Sequence, residues 1–138
     1  MLPWHQSDFD RLMARKDALP HAILLRGRQG IGKLAFAHSL ARALLCEAMP
    51  VSRVACGDCE SCRWLAAGTH PDFRQIEPES LTAAAAGEAE GDKKASQQIG
   101  IEDIRQLYDF INISSHRHGA KVIVIHPAEA LNVHAANA

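Results

Sequence analysis

The sequence predicts an α/β fold built on a parallel sheet with flanking helices. Three observations lead there. Short apolar runs of strand length, "HAILLRG", "DFRQIEP" and "KVIVIHP", recur along the chain. Between them lie stretches whose apolar residues fall at three- and four-residue steps, the period of a helix. One junction, "GRQGIGK", is a glycine-rich turn that carries a strand into a helix. Strands alternating with helices are joined by crossovers, and crossovers make neighbouring strands parallel.

The elements follow in order. "HAILLRG" predicts a buried strand, Ala22–Leu25 at its centre. From Lys33 to Leu45 the pattern is helical, with Leu34, Ala37, Leu40, Ala41 and Leu44 on one face. Pro50 prevents continuation. A cysteine-rich loop precedes a short helix over "SCRWLAAG", for which Gly68 is the C-cap. "DFRQIEP" is a second strand, ended by Pro78. Residues 79–97, rich in Ala, Gly, Glu and Lys, offer helix formers without an apolar face and predict a mobile surface insertion. "IGIEDIRQLYDFIN" is helical, with an apolar stripe of Ile101, Ile104, Leu107, Tyr108 and Ile111. "SSHRHGAK" is a polar, basic loop, expected to be solvated, with contact to a phosphate as the alternative. Val122–Ile125 form a third strand, and "AEALNVHAANA" starts a helix with no cap before Ala138, as a piece of a longer chain would. Trp4 and Phe9 are expected to anchor the N-terminal segment on the core.

The chain has 138 residues, one domain by length, and its 47% hydrophobic and 22% charged residues describe a globular protein. With 15 basic and 16 acidic residues the net charge is −1, so no global field attracts nucleic acid. The N-terminus lacks the features of a signal peptide and no run approaches a membrane span, which predicts a cytoplasmic protein.

In "GRQGIGK", Gly27, four residues, Gly32 and Lys33 reproduce the spacing of a phosphate-binding loop, with Gly30 inside it. Such a loop turns backbone N–H groups toward phosphate oxygens and places them at the positive end of the following helix. Lys33 would reach the outer phosphates. A Ser or Thr hydroxyl would then hold Mg²⁺, and the sequence has Leu34. The later strand that should end in a carboxylate ends in His126 and Pro127, with Glu129 beyond it. Phosphoryl transfer depends on a positioned metal and charge. The residues therefore predict a degenerate loop that does not hydrolyse ATP and whose binding of ATP is doubtful. The alternative is an active P-loop ATPase or nucleotide kinase.

All four cysteines lie within residues 46–62: Cys46, Cys56, Cys59 and Cys62. Two overlapping C-x₂-C steps supply the thiolate pairs that tetrahedral zinc accepts, and four thiolates make a closed, structural site. Residues 46–68 are thus predicted to be a zinc module. An iron–sulfur cluster, a redox pair and idle thiols are the other readings, and His70 could replace Cys46 as a ligand. His70 and Asp72 in "GTHPDF" are explained by a turn entering a strand. The neutral charge and the lack of basic–aromatic clusters disfavour a free-standing nucleic-acid-binding zinc module.

The combination of "PW", "HAILLRGRQGIGK", "LLC", "CGDCESC", "HPDF", "IGIEDIRQL" and "AEALNVHAANA" resembles the delta-prime family of bacterial DNA polymerase III clamp-loader subunits. The resemblance runs from Leu2 to Ala138 apart from the Ala/Glu-rich insertion. It implies an AAA+ P-loop fold over residues 1–138, with the sheet incomplete. It also implies a cytoplasmic accessory subunit of a DNA-directed DNA polymerase, without catalytic activity of its own. The implied partners are the tau/gamma and delta subunits, with the sliding clamp and primed DNA reached through the complex. The ATP-hydrolysing tau/gamma subunits share a similar cysteine module and are the alternative. The family's Ser-Arg-Cys segment, which donates an arginine to a neighbour's ATP, is expected beyond Ala138. The strand between the P-loop strand and the third strand is expected there too, leaving Ala22–Leu25 and Val122–Ile125 on either side of an open slot.

Overall fold

The structure, a computed structural model, describes residues 2–48, 53–86, 96–116 and 120–138. It divides into two compact units, Met1–Phe73 with His116–Val122 and Arg74–Ser115 with Ile123–Ala138.

In the first unit a 3₁₀ turn, Pro3–His5, leads into α1, Gln6–Met13. Phe9 and Met13 lie one helical turn apart and are both buried. They meet α2, Lys33–Leu45, through Phe36, Leu40 and Ala43. Phe9 and Phe36 pack edge to face, 6.4 Å between centroids. The buried line of α2 therefore differs from the predicted one. Leu34, Ala37 and Leu44 are only partly buried, whereas Phe36, Ala43 and Leu45 are buried with Leu40 and Ala41. This helix is apolar on most sides, so periodicity alone leaves several possible stripes, and the ring of Phe36 selects one. Trp4 is 63% exposed and is held instead by its indole N–H, which donates to the Ile31 carbonyl at 3.1 Å.

The predicted strand at Ala22–Leu25 is not formed. Among the described residues no backbone ladder holds it, and Leu24 is 73% exposed. Only Leu25 packs on the core. An apolar run becomes a strand only where a neighbour supplies backbone partners, and here it forms no regular element. Helix α3, Glu60–Ala67, ends as predicted at Gly68, whose left-handed conformation (φ 72°) directs its own N–H to the Leu65 carbonyl. Pro50 lies outside the described residues.

The strands β1, Phe73–Ile76, and β2, Val122–Ile125, pair with each other. The Val122 N–H donates to the Asp72 carbonyl and the His126 N–H to the Ile76 carbonyl. The residue offset is the same at both ends, so the strands are parallel, and the helices between them form the crossover that a parallel pair requires.

In the second unit α4, Glu79–Ala86, opens the segment predicted to be a mobile insertion; residues 87–95 of that segment lie outside the described ones. Its two ends are tied, the Ser80 N–H donating to the Ser96 carbonyl at 2.9 Å. Helix α5, Ile101–Asn112, starts where the Asp103 carboxylate accepts the Gly100 N–H at 2.7 Å. Leu107 and Phe110 are its buried residues. Tyr108 and Ile111, placed on the buried stripe by periodicity, are 53% and 56% exposed. Phe110 takes their place beneath the Arg74 guanidinium, 4.7 Å from its ring centre. The final helical stretch is broken into a 3₁₀ turn, Ala128–Ala130, and α6, Val133–Ala136. Asn132 causes the break: its side-chain oxygen accepts the Ala135 N–H at 2.8 Å and starts the chain afresh. Ile99, fully buried, forms a parallel bridge with Leu131 that periodicity does not reveal. Of the basic loop at 114–121, residues 117–119 lie outside the described ones. Among the described residues no helix is long and apolar enough to cross a membrane.

Candidate metal centre and phosphate loop

The four cysteines, scattered over two helix ends and a loop, converge. Cys46 caps the end of α2, Cys59 caps the start of α3, Cys62 lies in the first turn of α3, and Cys56 comes from the loop before it. Their sulfurs all lie within 4.8 Å of one another. Cys46 and Cys56 sulfurs are 3.6 Å apart, Cys56 and Cys62 sulfurs 3.9 Å. A disulfide needs about 2.05 Å, and all four thiols are free. A tetrahedral shell with metal–sulfur bonds of about 2.3 Å has sulfur–sulfur edges of about 3.8 Å. The donor set therefore fits a single ion, and the four residues could hold one.

Local backbone shapes this cluster. The N–H of Cys56 points to the Cys46 sulfur, that of Cys59 to Cys56, and that of Cys62 to Cys59, each at 3.4 Å. Gly57, with φ 85°, makes the turn between the first two loop ligands. The thiols respond unequally. Burial raises Cys62 to about 12, helped by the neighbouring sulfurs of Cys59 and Cys46. Burial likewise raises Cys46. At Cys59 burial acts against the thiolate, but the N–H groups of Cys62 and Glu47 outweigh it and lower the group to about 6. Crowded sulfurs resist sharing negative charge, and a cation among them removes that resistance.

His70 does not join the cluster. Its Nε2 lies 2.6 Å from the Ser61 hydroxyl, and its Nδ1 accepts the Asp72 N–H at 3.0 Å, so both nitrogens are engaged elsewhere. The Ser61 hydroxyl donates to the Leu45 carbonyl at 2.6 Å. The Asp72 carboxylate accepts the His116 N–H at 3.0 and 3.1 Å. Ser61, His70 and Asp72 are the buried polar residues of the chain's described part. Sequence reading missed this network and assigned His70 and Asp72 to a turn. The available signal was chemical: a serine flanked by ligand-type residues, and a His–Pro–Asp step directly before a strand.

The glycine loop is also formed. Gly27, Gly30 and Gly32 have φ of 155°, 84° and 88°, and Gly32 directly precedes α2. Its lysine, however, is turned inward. The Lys33 ammonium donates to the Gly27 carbonyl at 2.8 Å and the Arg28 carbonyl at 3.0 Å. A Cβ on Gly32 would meet the Leu2 side chain at 2.4 Å, so the N-terminal segment lies directly against the loop. Leu34, next along, contributes no oxygen.

Fold and site together define a class: a mixed helix–strand protein with a glycine loop at one helix start and a four-thiol knuckle at that helix's end. Comparison with known proteins places the chain within a family. The family model described as "DNA polymerase III, delta subunit" matches residues 6–138, and the chain belongs to that family. It is 40% identical over 136 residues to DNA polymerase III subunit delta' of Pseudomonas aeruginosa, covering 99% of this chain and 37% of that protein. To the subunit delta' of Escherichia coli it is 33% identical over 138 residues, 99% of this chain and 37% of the relative. DNA polymerase III subunit tau of Escherichia coli is 30% identical over 118 residues, 86% of this chain and 16% of the relative. The chain thus spans little more than a third of the length of the delta' relatives it matches.

Proposed function

We propose that this chain acts in DNA replication as a delta-prime-type subunit of the DNA polymerase III clamp loader, one that does not hydrolyse ATP. The observation that carries the reading is the state of the glycine loop. Leu34 stands where a Mg²⁺-binding hydroxyl is needed, and Lys33 is bonded to the loop's own carbonyls. Gly27, Gly30, Gly32 and Lys33 are the remnant of an AAA+ nucleotide site. Its partners are the tau/gamma and delta subunits, and through them the sliding clamp and primed DNA, in the cytoplasm. The likeness to tau subunits is the basis for the alternative, an active P-loop ATPase; Leu34 and the His126–Pro127 strand end argue against it.

Cys46, Cys56, Cys59 and Cys62 hold structural Zn²⁺ in this reading. The sulfur spacing supports one ion, since a multi-iron cluster binds its cysteines to different irons and spreads them. Zinc would supply charge and a rigid tetrahedral joint between α2 and α3, with no open position for chemistry.

Mg²⁺-dependent ATP turnover, measured on this subunit alone and in complex with tau, tests the central point. The subunit alone is expected to be inactive, and Lys33→Ala should leave turnover by the complex unchanged. Turnover by the subunit alone that Lys33→Ala abolishes would favour the active ATPase instead.

A further inference from the structure

We infer that Ser61 and His70 are positioning residues of the metal centre: together they lock the chain immediately before Cys46 to the chain immediately before Cys62. The inference rests on the zinc reading above.

The geometry runs in one direction. The Asp72 N–H donates to His70 Nδ1, so the neutral imidazole carries its proton on Nε2. That proton faces the Ser61 oxygen at 2.6 Å. With its oxygen occupied as an acceptor from His70, the Ser61 hydroxyl turns its own proton to the Leu45 carbonyl, also at 2.6 Å. Leu45 ends α2, so its carbonyl is one of the last four with no partner inside the helix. Ser61 is in the first turn of α3. A single hydroxyl therefore ties the two helix ends together, and each tie adjoins a cysteine. Those two, Cys46 and Cys62, are the buried members of the ligand set. Ser61 and His70 are 1% and 3% exposed, so water does not compete for the chain of bonds. The Trp64 ring meets the imidazole edge to face at 5.9 Å and fixes its plane.

The arrangement assigns different tasks to the two imidazole nitrogens, and substitutions can separate them. Gln at position 70 places an amide N–H near Nε2 and keeps the bond to Ser61. Asn places an amide oxygen near Nδ1 and keeps only the bond from Asp72. Zinc affinity of the purified full chain, read by competition with a chelating dye, is expected to fall about 10–100-fold in Ser61→Ala and His70→Asn, the range for partners that orient metal ligands. His70→Gln should stay near wild type. A merely space-filling imidazole predicts that Asn and Gln behave alike, and that result overturns the inference. So does wild-type affinity in Ser61→Ala. Wild-type protein without zinc overturns both the zinc reading and this inference, whereas zinc bound equally by all variants overturns this inference alone. Should the Asn variant not fold, ¹⁵N shifts of the wild-type zinc form decide: protonation at Nε2 with Nδ1 unprotonated is expected, and the opposite tautomer or an imidazolium overturns the assignment.

Discussion

The glycine loop and the cysteine knuckle lie at opposite ends of the same helix, α2, and each matches its sequence pattern almost position for position. They differ in what the pattern delivers. At the knuckle every ligand position carries a donor, and the fold brings all four sulfurs within 4.8 Å of one another. At the loop the glycines have positive φ, Leu34 carries no oxygen, and the Lys33 ammonium is bonded to internal carbonyls, which on the proposed reading leaves a nucleotide site short of a donor. Spacing therefore prescribes backbone shape, while chemistry depends on each side chain within it. A motif can be complete as geometry and incomplete as a site.

If the four cysteines hold zinc, as proposed, loss of that ion should produce the largest effect. The binding energy of a structural zinc, about 10–16 kcal/mol in zinc-finger peptides, is folding energy. Cys62→Ala removes a fully buried thiol of the proposed ligand set. It should destabilise the protein by more than about 3 kcal/mol, as breaking a closed metal site does. Chelator should lower the denaturation midpoint of wild type and leave the variant unmoved. Equal midpoints for wild type with and without chelator would remove the contrast between the two ends of α2.

Glycine substitutions sharpen the comparison at a smaller scale. Gly32 and Gly57 have nearly the same φ, 88° and 85°, one in each motif. Alanine in the left-handed region costs about 1–2 kcal/mol at either place. Around Gly57 a Cβ meets nothing within 4 Å, whereas at Gly32 it meets Leu2 at 2.4 Å. Gly32→Ala should therefore be the more destabilising of the two in urea denaturation. Its excess should shrink when Leu2→Ala is added, since the end of that flexible side chain is the nearest obstacle, but not vanish, because His5 Cε1 stands 3.1 Å away. An unchanged excess would place the strain elsewhere.

Much of this was legible in the sequence because it depends on local chemistry. Gly68 at the end of α3, the parallel strands β1 and β2, and the cysteine set all follow from residue type and spacing. What was not legible depends on partners distant along the chain. Ala22–Leu25 has strand composition, yet no described neighbour forms a ladder with it. On α5, Phe110 displaced Tyr108 and Ile111 from the buried side, with the Arg74 guanidinium over its ring. The Ser61–His70–Asp72 chain has no periodic signature, since its bonds join a helix end, a helix start and a strand approach.

The smallest effect belongs to Lys33→Ala. The substitution removes two hydrogen bonds from an ammonium to carbonyls, and both lie on an exposed loop. Water can replace each bond on both sides, so little net energy is lost. Alanine is also the better helix former at the first position of α2, which offsets part of the loss. The expected change in stability is below about 1 kcal/mol, against more than about 3 kcal/mol for loss of a proposed zinc ligand at the other end of the helix. Urea denaturation of the two variants side by side measures the ratio. A large loss in Lys33→Ala would mean that the lysine acts as a structural clasp for the loop, and that the glycine motif persists for the turn it makes.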